Sequence, residues 1–241
     1  MSAYADAGAG IRSNVAGKPV RRWLTHARRL PEGVLRVNRV GADLGRDRQS
    51  RPDGMAELVS PAAVLPVLID DAVCFVHLRV LGWPDHKYLN PPADLAPNPR
   101  VGLYRPARHS DFRFERRDEL IVTEGIIDAL SAAAAGYYAA AVLGAGYTDP
   151  VAATALARLP GRLVIAFDPD PEGRTGAERL IQQLNARRRR PGVMTLTRGD
   201  LNNNLQRAQD WPVELAGRVQ HATARPGLTP LRGLGRAPFG T

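Results

Sequence analysis

Four carboxylates in the second half of the sequence each follow a short apolar segment. They are Glu124 after LIVT, Asp168 and Asp170 after LVIAF, and Asp200 after GVMTLTRG. Carboxylates held close together raise one another's pKa unless a cation neutralises them. Oxygen ligands in this number suit Mg²⁺ or Mn²⁺, which bind a few carboxylates together with water and substrate phosphate. The pattern therefore predicts a divalent-metal site that acts on phosphate.

A second explanation of the Asp-x-Asp sequence needs no metal. A short acidic side chain at the end of a strand often caps the next helix or belongs to a loop, and Asp168 is open to this interpretation. Glu124 and Asp200 favour the metal site, because the carboxyl ends of parallel strands meet at one edge of a sheet.

Strands and helices alternate from Leu120 onward, which predicts a parallel sheet covered on both faces. We expect Gly136 to end the first helix, and Asp149 and Pro150 to begin the second. The predicted strands are ELIVTEG, YAAAVLGAG, RLVIAFD and GVMTLT, and the predicted helices are IIDALSAAAAG, TDPVAATALARL and EGRTGAERLIQQLNARRRR.

The segment before this sheet has a different composition and no such alternation of strands and helices. RRWLTHARRLPEGVLRVNRVGADLG predicts two short basic helices, and AAVLPVLIDDAVCFVHLRVLG predicts a hairpin that turns at Asp70 and Asp71. Residues 83–117 are rich in Pro and Arg and are typical of surface loop. The expected fold is α/β, with a helix-flanked parallel sheet preceded by a smaller basic α+β subdomain.

Composition and predicted elements divide the chain into four parts. We expect a mobile tail over residues 1–18, the basic subdomain over 19–117 and the parallel-sheet domain over 118–210. Residues 211–241 are expected to form a largely disordered C-terminal tail, because Pro, Gly and Arg recur there without a period.

Composition limits the function classes. The 241 residues carry a formal net charge of +9, which favours an anionic partner such as nucleic acid. The longest near-apolar run, ALSAAAAGYYAAAVLGAGY, is alanine-rich and broken by glycines, so we expect no membrane association. The segment MSAYADAGAGIRSNV has no apolar stretch of the kind a secretory signal needs, so we expect no such signal. The single cysteine, Cys74, excludes an intramolecular disulfide and a Cys-rich zinc module in these residues. We expect a cytoplasmic protein.

Two quoted segments resemble a known domain. VTEGIIDALSAAAAGYYAAAVLGAG and VIAFDPDPEGRTGAERLI resemble the Toprim domain shared by DnaG-type primases, topoisomerases and some nucleases. In that domain a glutamate follows the first strand, Asp-x-Asp follows the third, and a glycine lies just beyond. The matching residues are Glu124, Gly125, Asp128, Asp168, Asp170 and Gly173.

The upstream sequence is similar to one branch of these proteins. LRVLGWPDHKYLNPPADLAPNPRVGLYRP resembles the basic segment before Toprim in the polymerase core of DnaG-type primases, with Arg79, the run at 87–90 and Tyr104 in the same order. WLTHARRLPEGVLRVNRVGADLG and RGDLNNNL also resemble that core, so the likeness covers residues 21–205.

The resemblance implies roles for individual residues. It implies catalytic roles for Glu124, Asp168 and Asp170, and Mg²⁺ or Mn²⁺ held by Glu124, Asp168, Asp170 and Asp200. It also implies a groove for nucleotide or nucleic acid lined by Arg79, Lys87, Tyr88, Asn90, Arg100 and Arg174. Cationic side chains beside a metal site suit triphosphate and nucleic-acid backbone. Judged without the resemblance, Arg79 and Lys87 are equally explained as a solvated basic strand, and Tyr88 as core packing.

The function that the resemblance implies is primer synthesis. A metal-dependent nucleotidyltransferase would join ribonucleoside triphosphates into short RNA on single-stranded DNA during replication. Glu124 would serve as a metal ligand or as a proton acceptor for the attacking hydroxyl. Zinc and helicase modules of such primases have no counterpart in these residues, since there is one cysteine and no G-x-x-x-x-G-K-[ST] loop, so a separate helicase or zinc-module protein is expected as partner.

Two alternatives remain open. A Toprim nuclease would use the same carboxylates to activate water, although a nuclease has no triphosphate for Arg79 and Lys87 to bind. A non-catalytic nucleic-acid-binding accessory protein of a mobile-element replication system would need no carboxylate set. The sequence DPDPEG also resembles type IA topoisomerases, but those need a catalytic tyrosine in a much larger body.

Overall fold

The N-terminal part of the structure is helical. The computed structural model describes residues 17–43, 58, 60–69, 72–82, 87–92, 103–108, 118–143, 150–197 and 199–224. Helix α1 (Lys18–Arg22) continues into a π-helical turn (Trp23–Ala27), and α2 (Glu32–Val37) follows Pro31. The two short helices are therefore present, although α1 begins inside the expected tail, of which residues 1–16 lie outside the described residues.

An antiparallel sheet follows these helices. Its strands are β1 (Gly41–Asp43), β2 (Ala62–Ile69), β3 (Ala72–Val80) and β4 (Tyr88–Leu89), in that order across the sheet. Strands β2 and β3 form the predicted hairpin, whose turn at Asp70 and Asp71 lies outside the described residues. Side chains alternate between the faces of a strand, so Phe75, His77 and Arg79 share one face of β3.

The second sheet is parallel throughout, as predicted. Its order is β6-β5-β7-β8, and every neighbouring pair is parallel. The strands are β5 (Glu119–Thr123), β6 (Tyr138–Ala141), β7 (Arg162–Ile165) and β8 (Gly192–Val193). The helices are α3 (Ile126–Ala134), α4 (Pro150–Arg158), α5 (Pro171–Ala186), α6 (Leu201–Arg207) and α7 (Trp211–Ala224).

Local sequence explains where several of these elements begin and end. Gly136 has φ +83°, a left-handed conformation that stops α3 just after its C-cap, as expected. Helix α5 ends at Ala186, earlier than predicted. The next residue, Arg187, bonds to α4 and to the last turn of α5 itself. Arg187 donates to Thr154 Oγ1 and to the carbonyls of Gln183 and Pro150. Arg188 then has φ +60°, a left-handed conformation that ends the helix before the remaining arginines.

The expectation of a disordered tail from residue 211 is wrong for residues 211–224. They form α7, in which Trp211 Nε1 donates to the Ser131 carbonyl at 2.7 Å and Leu215 and Val219 are buried. The apolar positions recur at helical spacing but are separated by Pro, Gly and Arg, which hid the period. Residues 225–241 lie outside the described residues.

The parallel sheet is covered on both faces. One apolar cluster joins one face of the sheet to α3, α6 and α7, and the cluster on the other face contains side chains of α4 and α5. The first cluster also contains Val20, Leu24 and Val34 from the N-terminal helices. The domain division at 117/118 stays a prediction, and apolar side chains from both sides of it share this cluster. None of the described helices is long and apolar enough to cross a membrane.

Candidate functional site

A cleft of about 340 Å³ lies between the two sheets. Its polar lining comes from both of them. The antiparallel sheet and the residues after it contribute His77, Arg79, Lys87, Tyr88 and Asn90, and Arg28 joins them from the N-terminal helices. The ends of the parallel strands and the helices that follow contribute Glu124, Asp128, Asp168 and Asp200. A largely cationic wall therefore faces an acidic wall.

The acidic wall is built on a bond between two neighbouring strand ends. Glu124 follows β5, and its Oε1 accepts a hydrogen bond from the backbone N–H of Asp168, which follows β7, at 2.8 Å. Gly173 in the first turn of α5 allows this approach. A Cβ at position 173 would lie closer than 3.0 Å to Asp168 O and to Glu124 Oε1. Only glycine therefore fits without moving the two acids.

The carboxylate of Asp168 lies in an unfavourable environment for a charge. Its pKa is raised to about 6, first by partial burial and then by the neighbouring charges of Asp200 and Asp170, while Lys87 acts in the opposite direction. Asp200 and Asp170 therefore each lie close enough to Asp168 to repel its charge. A cation at this place would relieve that repulsion.

Asp170 and Asp200 are helix caps. Asp170 Oδ1 accepts from the Gly173 N–H at 2.7 Å at the start of α5, and Asp200 Oδ1 accepts from the Asn203 N–H at 2.6 Å at the start of α6. The capping role that the sequence allowed for Asp168 thus belongs to Asp170. Asp200 caps a helix and also lines the cleft.

Asp128 is the most deeply buried of the cleft's acids. It is in the first turn of α3 and accepts from the Asn202 backbone N–H at 2.8 Å. Burial raises its pKa well above the ordinary value, and Asp200 adds to the increase. Asp128 belongs to the Toprim-like pattern, yet sequence reasoning assigned it no role at the site.

This arrangement of carboxylates fits a metal ion that water and substrate also bind, better than one held by protein side chains alone. Within the described residues, no three His, Cys, Asp or Glu side chains are grouped closely enough to hold a metal ion among themselves. Mg²⁺ commonly binds through one or two carboxylates, with water and substrate phosphate completing its shell. The mutual repulsion of Asp168 and Asp200 is the observation that fits such an ion.

The cationic wall combines charge with a flat aromatic surface. Arg79 and Tyr88 are directly opposite each other on β3 and β4, with the guanidinium 5.0 Å from the centre of the tyrosine ring. Asn90 Oδ1 lies 2.7 Å from Nδ1 of His77. Arg79, Lys87, Tyr88 and Asn90 therefore meet at the cleft, where the resemblance expects them.

Two residues from the expected set have a different outcome. Arg174 is exposed on α5 and donates to the Pro169 carbonyl, so it is not among the residues that line the cleft. Arg100 lies outside the described residues. Tyr104 is buried beside β6, where its backbone pairs with Ala141.

Besides Asp128, two polar cleft residues were missed from the sequence, Arg28 and His77. Arg28 follows the π-helical turn, where its N–H donates to the Trp23 carbonyl at 2.9 Å and its guanidinium lies 4.9 Å from the Trp23 ring. No residue pattern marks a π turn, so Arg28 had no sequence signal beyond its charge. His77 had one, since it is two residues from Arg79 on a predicted strand.

Comparison with known proteins agrees with this architecture. Residues 121–205 match the Toprim-like family model, so the chain carries a Toprim-like domain. No curated protein matches the chain.

Solved primase cores share the fold. The Escherichia coli primase catalytic core aligns with a TM-score of 0.67 at 20% identity over 92% of this chain and 78% of that chain. A Pseudomonas aeruginosa DNA primase domain gives 0.69 at 23% identity, over 92% and 77%. A DnaG primase catalytic domain bound to single-stranded DNA gives 0.64 at 21%, over 92% and 79%. The chain therefore has the fold of primase catalytic cores.

Proposed function

We propose that this protein is a DnaG-like primase core, a metal-dependent nucleotidyltransferase that makes short RNA primers on single-stranded DNA in the cytoplasm. The observation that carries the proposal is the cleft between two walls of opposite charge. A nucleoside triphosphate needs cations along its phosphates and a metal ion at the reacting phosphorus, and the two walls offer both.

The cationic wall would bind and orient the nucleotide. Lys87 and Arg28 offer charged donors to the triphosphate, and Arg79 stacked on Tyr88 offers a flat cationic surface. Lys87 acts electrostatically on Asp168, so a phosphate bound by Lys87 would lie beside the acidic wall. This placement brings the phosphorus and the carboxylates together, which is the positioning that phosphoryl transfer requires.

The acidic wall would hold the metal ion and accept the proton of the attacking hydroxyl. Asp168 and Asp200 would hold Mg²⁺ or Mn²⁺, with Asp170 adding negative charge nearby. Such an ion polarises a phosphoryl oxygen and stabilises the leaving group when it is bound. Glu124 fixes the backbone of Asp168 and is the carboxylate proposed to take the proton of the attacking hydroxyl.

The proposed partner is single-stranded DNA. A net charge of +9 favours a polyanion, and one of the matching primase domains is described as bound to single-stranded DNA. A separate helicase or zinc-module protein that completes template recognition is part of the same proposal.

Primer synthesis from labelled ribonucleotides on single-stranded DNA tests the proposal directly. Wild type, Glu124→Gln and Asp168→Asn would be compared in Mg²⁺ and Mn²⁺, with Glu178→Gln, an exposed acid on α5, as the matched control. We expect short products from wild type and Glu178→Gln, and yields reduced roughly 100-fold or more in the two cleft variants.

Two results would contradict the proposal. Shortening of the template by wild type, without new product, would indicate the Toprim nuclease. Metal-independent DNA binding that Asp168→Asn leaves unchanged, without product or cleavage, would indicate an accessory protein.

A further inference from the structure

His77 lines the cleft with an unfilled hydrogen-bonding position. Its side chain is 4% exposed, and its ring packs edge-on against Phe75 with 5.0 Å between the ring centres. Nδ1 contacts Asn90 Oδ1 at 2.7 Å, whereas the buried Nε2 has no hydrogen-bond partner among the described residues. A buried polar atom without a partner is unfavourable for the folded protein. In the wall of a cleft, such an atom indicates a bond that a ligand completes.

The chemistry of the Nε2 position follows from its neighbours. The amide oxygen of Asn90 can only accept, so Nδ1 of His77 carries the ring proton. Burial lowers the pKa of His77, which keeps the ring neutral. Nε2 therefore presents a lone pair and requires a donor from the ligand.

Arg79 supplies the complementary group on the same face of β3. Its Nη1 is also buried without a partner among the described residues, and a guanidinium nitrogen can only donate. Residues two apart on a strand point to the same side, and both residues line the cleft. The residues that line this wall thus contain one unfilled acceptor and one unfilled donor, both buried.

A hydroxyl group is the simplest partner for both atoms, because it donates one hydrogen bond and accepts another. The edge of a nucleobase also presents donors and acceptors, but their arrangement differs from base to base. An enzyme that copies a template must accept four bases at the same position, whereas the sugar hydroxyls are common to all four ribonucleotides.

We infer that His77 and Arg79 form a sugar-hydroxyl site for the incoming ribonucleotide, in which one ribose hydroxyl donates to His77 Nε2 and accepts from Arg79 Nη1. The inference rests on the proposed function, which already implies ribonucleotide substrates, and assigns recognition of their sugar to these two residues. His77 is then a specificity-determining residue that binds substrate through its outer nitrogen and is oriented by Asn90 through its inner one.

Equilibrium binding of nucleotides to the full chain tests this site without requiring turnover. ATP, 2′-deoxy-ATP and 3′-deoxy-ATP would be compared, so that the two deoxynucleotides identify the hydroxyl involved. CTP, GTP and UTP would test the base. We expect similar affinity for the four ribonucleotides and roughly 10- to 100-fold weaker binding of one deoxynucleotide, as for loss of a charge-assisted hydrogen bond.

Two variants at position 77 distinguish the roles of the two ring nitrogens. His77→Asn keeps a polar group near the Nδ1 position and nothing at the Nε2 position, so we expect it to bind ribo- and deoxynucleotide equally. His77→Gln places its amide near the Nε2 position, and we expect it to retain part of the preference. Thermal unfolding of both variants shows whether either change acts through folding instead.

The outcomes distinguish this inference from the proposed function. If wild type binds ATP and both deoxynucleotides equally, the sugar site is wrong while the nucleotide site stands. A preference among bases without a preference among sugars would also overturn it, in favour of contact with the base edge. Absence of nucleotide binding in wild type would count against the proposed function itself.

Discussion

Glu124 and Asp168 are joined across neighbouring parallel strands by a hydrogen bond from the Asp168 backbone N–H to Glu124 Oε1, at 2.8 Å. One carboxylate therefore holds the backbone that carries the other. Because β5 and β7 are adjacent in the sheet, the bond fixes how the Asp168 side chain leaves its strand. The geometry of the acidic wall depends on this contact as much as on the charges.

Gly173→Ala should damage this contact directly. The added Cβ would meet Asp168 O and Glu124 Oε1 at less than 3.0 Å, so the two acids or the start of α5 must shift. We expect a loss of about 1–3 kcal/mol in the free energy of unfolding, as for other overpacked sites, together with loss of primer synthesis. Denaturant unfolding and the synthesis assay measure the two effects.

Gly217→Ala is the matched control for that substitution. Gly217 lies within α7, and a Cβ there meets nothing within 4 Å. Alanine is the better helix former, so stability should rise by about 0.5–1 kcal/mol while activity is unchanged. Equal effects of the two substitutions would mean that the Glu124–Asp168 contact is not the sensitive feature.

Asp168→Asn should stabilise the metal-free protein at neutral pH. The pKa of Asp168 is about 6 in the folded state and about 3.9 in an unfolded chain. Between these values the folded state binds more protons, so Asp168 lowers stability as pH rises from about 4 to 6, and the full deficit persists above 6. Removing the charge should raise stability by about 1 kcal/mol at pH 7.5, a figure reduced for solvent screening of a half-exposed group.

Thermal melting between pH 5 and 8, with and without Mg²⁺, measures this effect. Mg²⁺ should stabilise wild type and have little effect on Asp168→Asn, because the ion and the substitution relieve the same repulsion. Glu178→Gln should leave both the pH profile and the Mg²⁺ response as in wild type. A lower melting temperature of Asp168→Asn than of wild type, in metal-free buffer at pH 7.5, would show that the charge of Asp168 does not destabilise the folded state.

The sequence predicted the parts of the site that depend on strand ends. Apolar segments followed by acids placed Glu124, Asp168 and Asp200 correctly at one rim, because parallel strands leave no choice of edge. It could not divide the roles of Asp168 and Asp170, since either residue of an Asp-x-Asp pair can cap a helix. That choice depends on where the chain first turns into α5.

Other features depended on tertiary packing and had no local signal. The π-helical turn Trp23–Ala27 directly precedes Arg28, and no apolar period in the sequence marks such a turn. Helix α7 has a weak period of its own and is held by contacts such as Trp211 with the Ser131 carbonyl. Strand β8 contains only Gly192 and Val193, fewer residues than the predicted strand GVMTLT.

Arg28→Gln should weaken nucleotide binding without unfolding the protein. The guanidinium is held beside Trp23 at the cleft and offers a charged donor to phosphate. We expect roughly 10-fold or greater loss of ATP affinity and a weaker dependence of binding on salt. Arg22→Gln, an exposed change in the last turn of α1, should leave ATP affinity unaltered. Equal losses in the two variants would indicate a general charge effect.

Asn202→Ala should destabilise the helix arrangement behind the acidic wall. The Asn202 side chain donates to the Arg28 carbonyl and to Ser131 Oγ, both at 2.9 Å, and is fully buried. Its removal leaves these acceptors without that donor and opens a cavity, so we expect a loss of about 2–4 kcal/mol. Denaturant unfolding should show no comparable loss for Asn185→Ala, which is exposed on α5.

The apolar cluster beneath the cleft has a consequence for synthesis of the chain. It unites Val20 and Leu24 with Leu215 and Val219, so residues made early are packed against residues made much later. A nascent chain on the ribosome has already produced every acid of the cleft before Trp211 emerges to cover α3. Contacts between such distant segments slow folding, and the chain meanwhile exposes an alanine-rich helix to its surroundings. Between synthesis of α3 and of α7, the apolar side of α3 therefore lacks its cover, and the chain is open to aggregation.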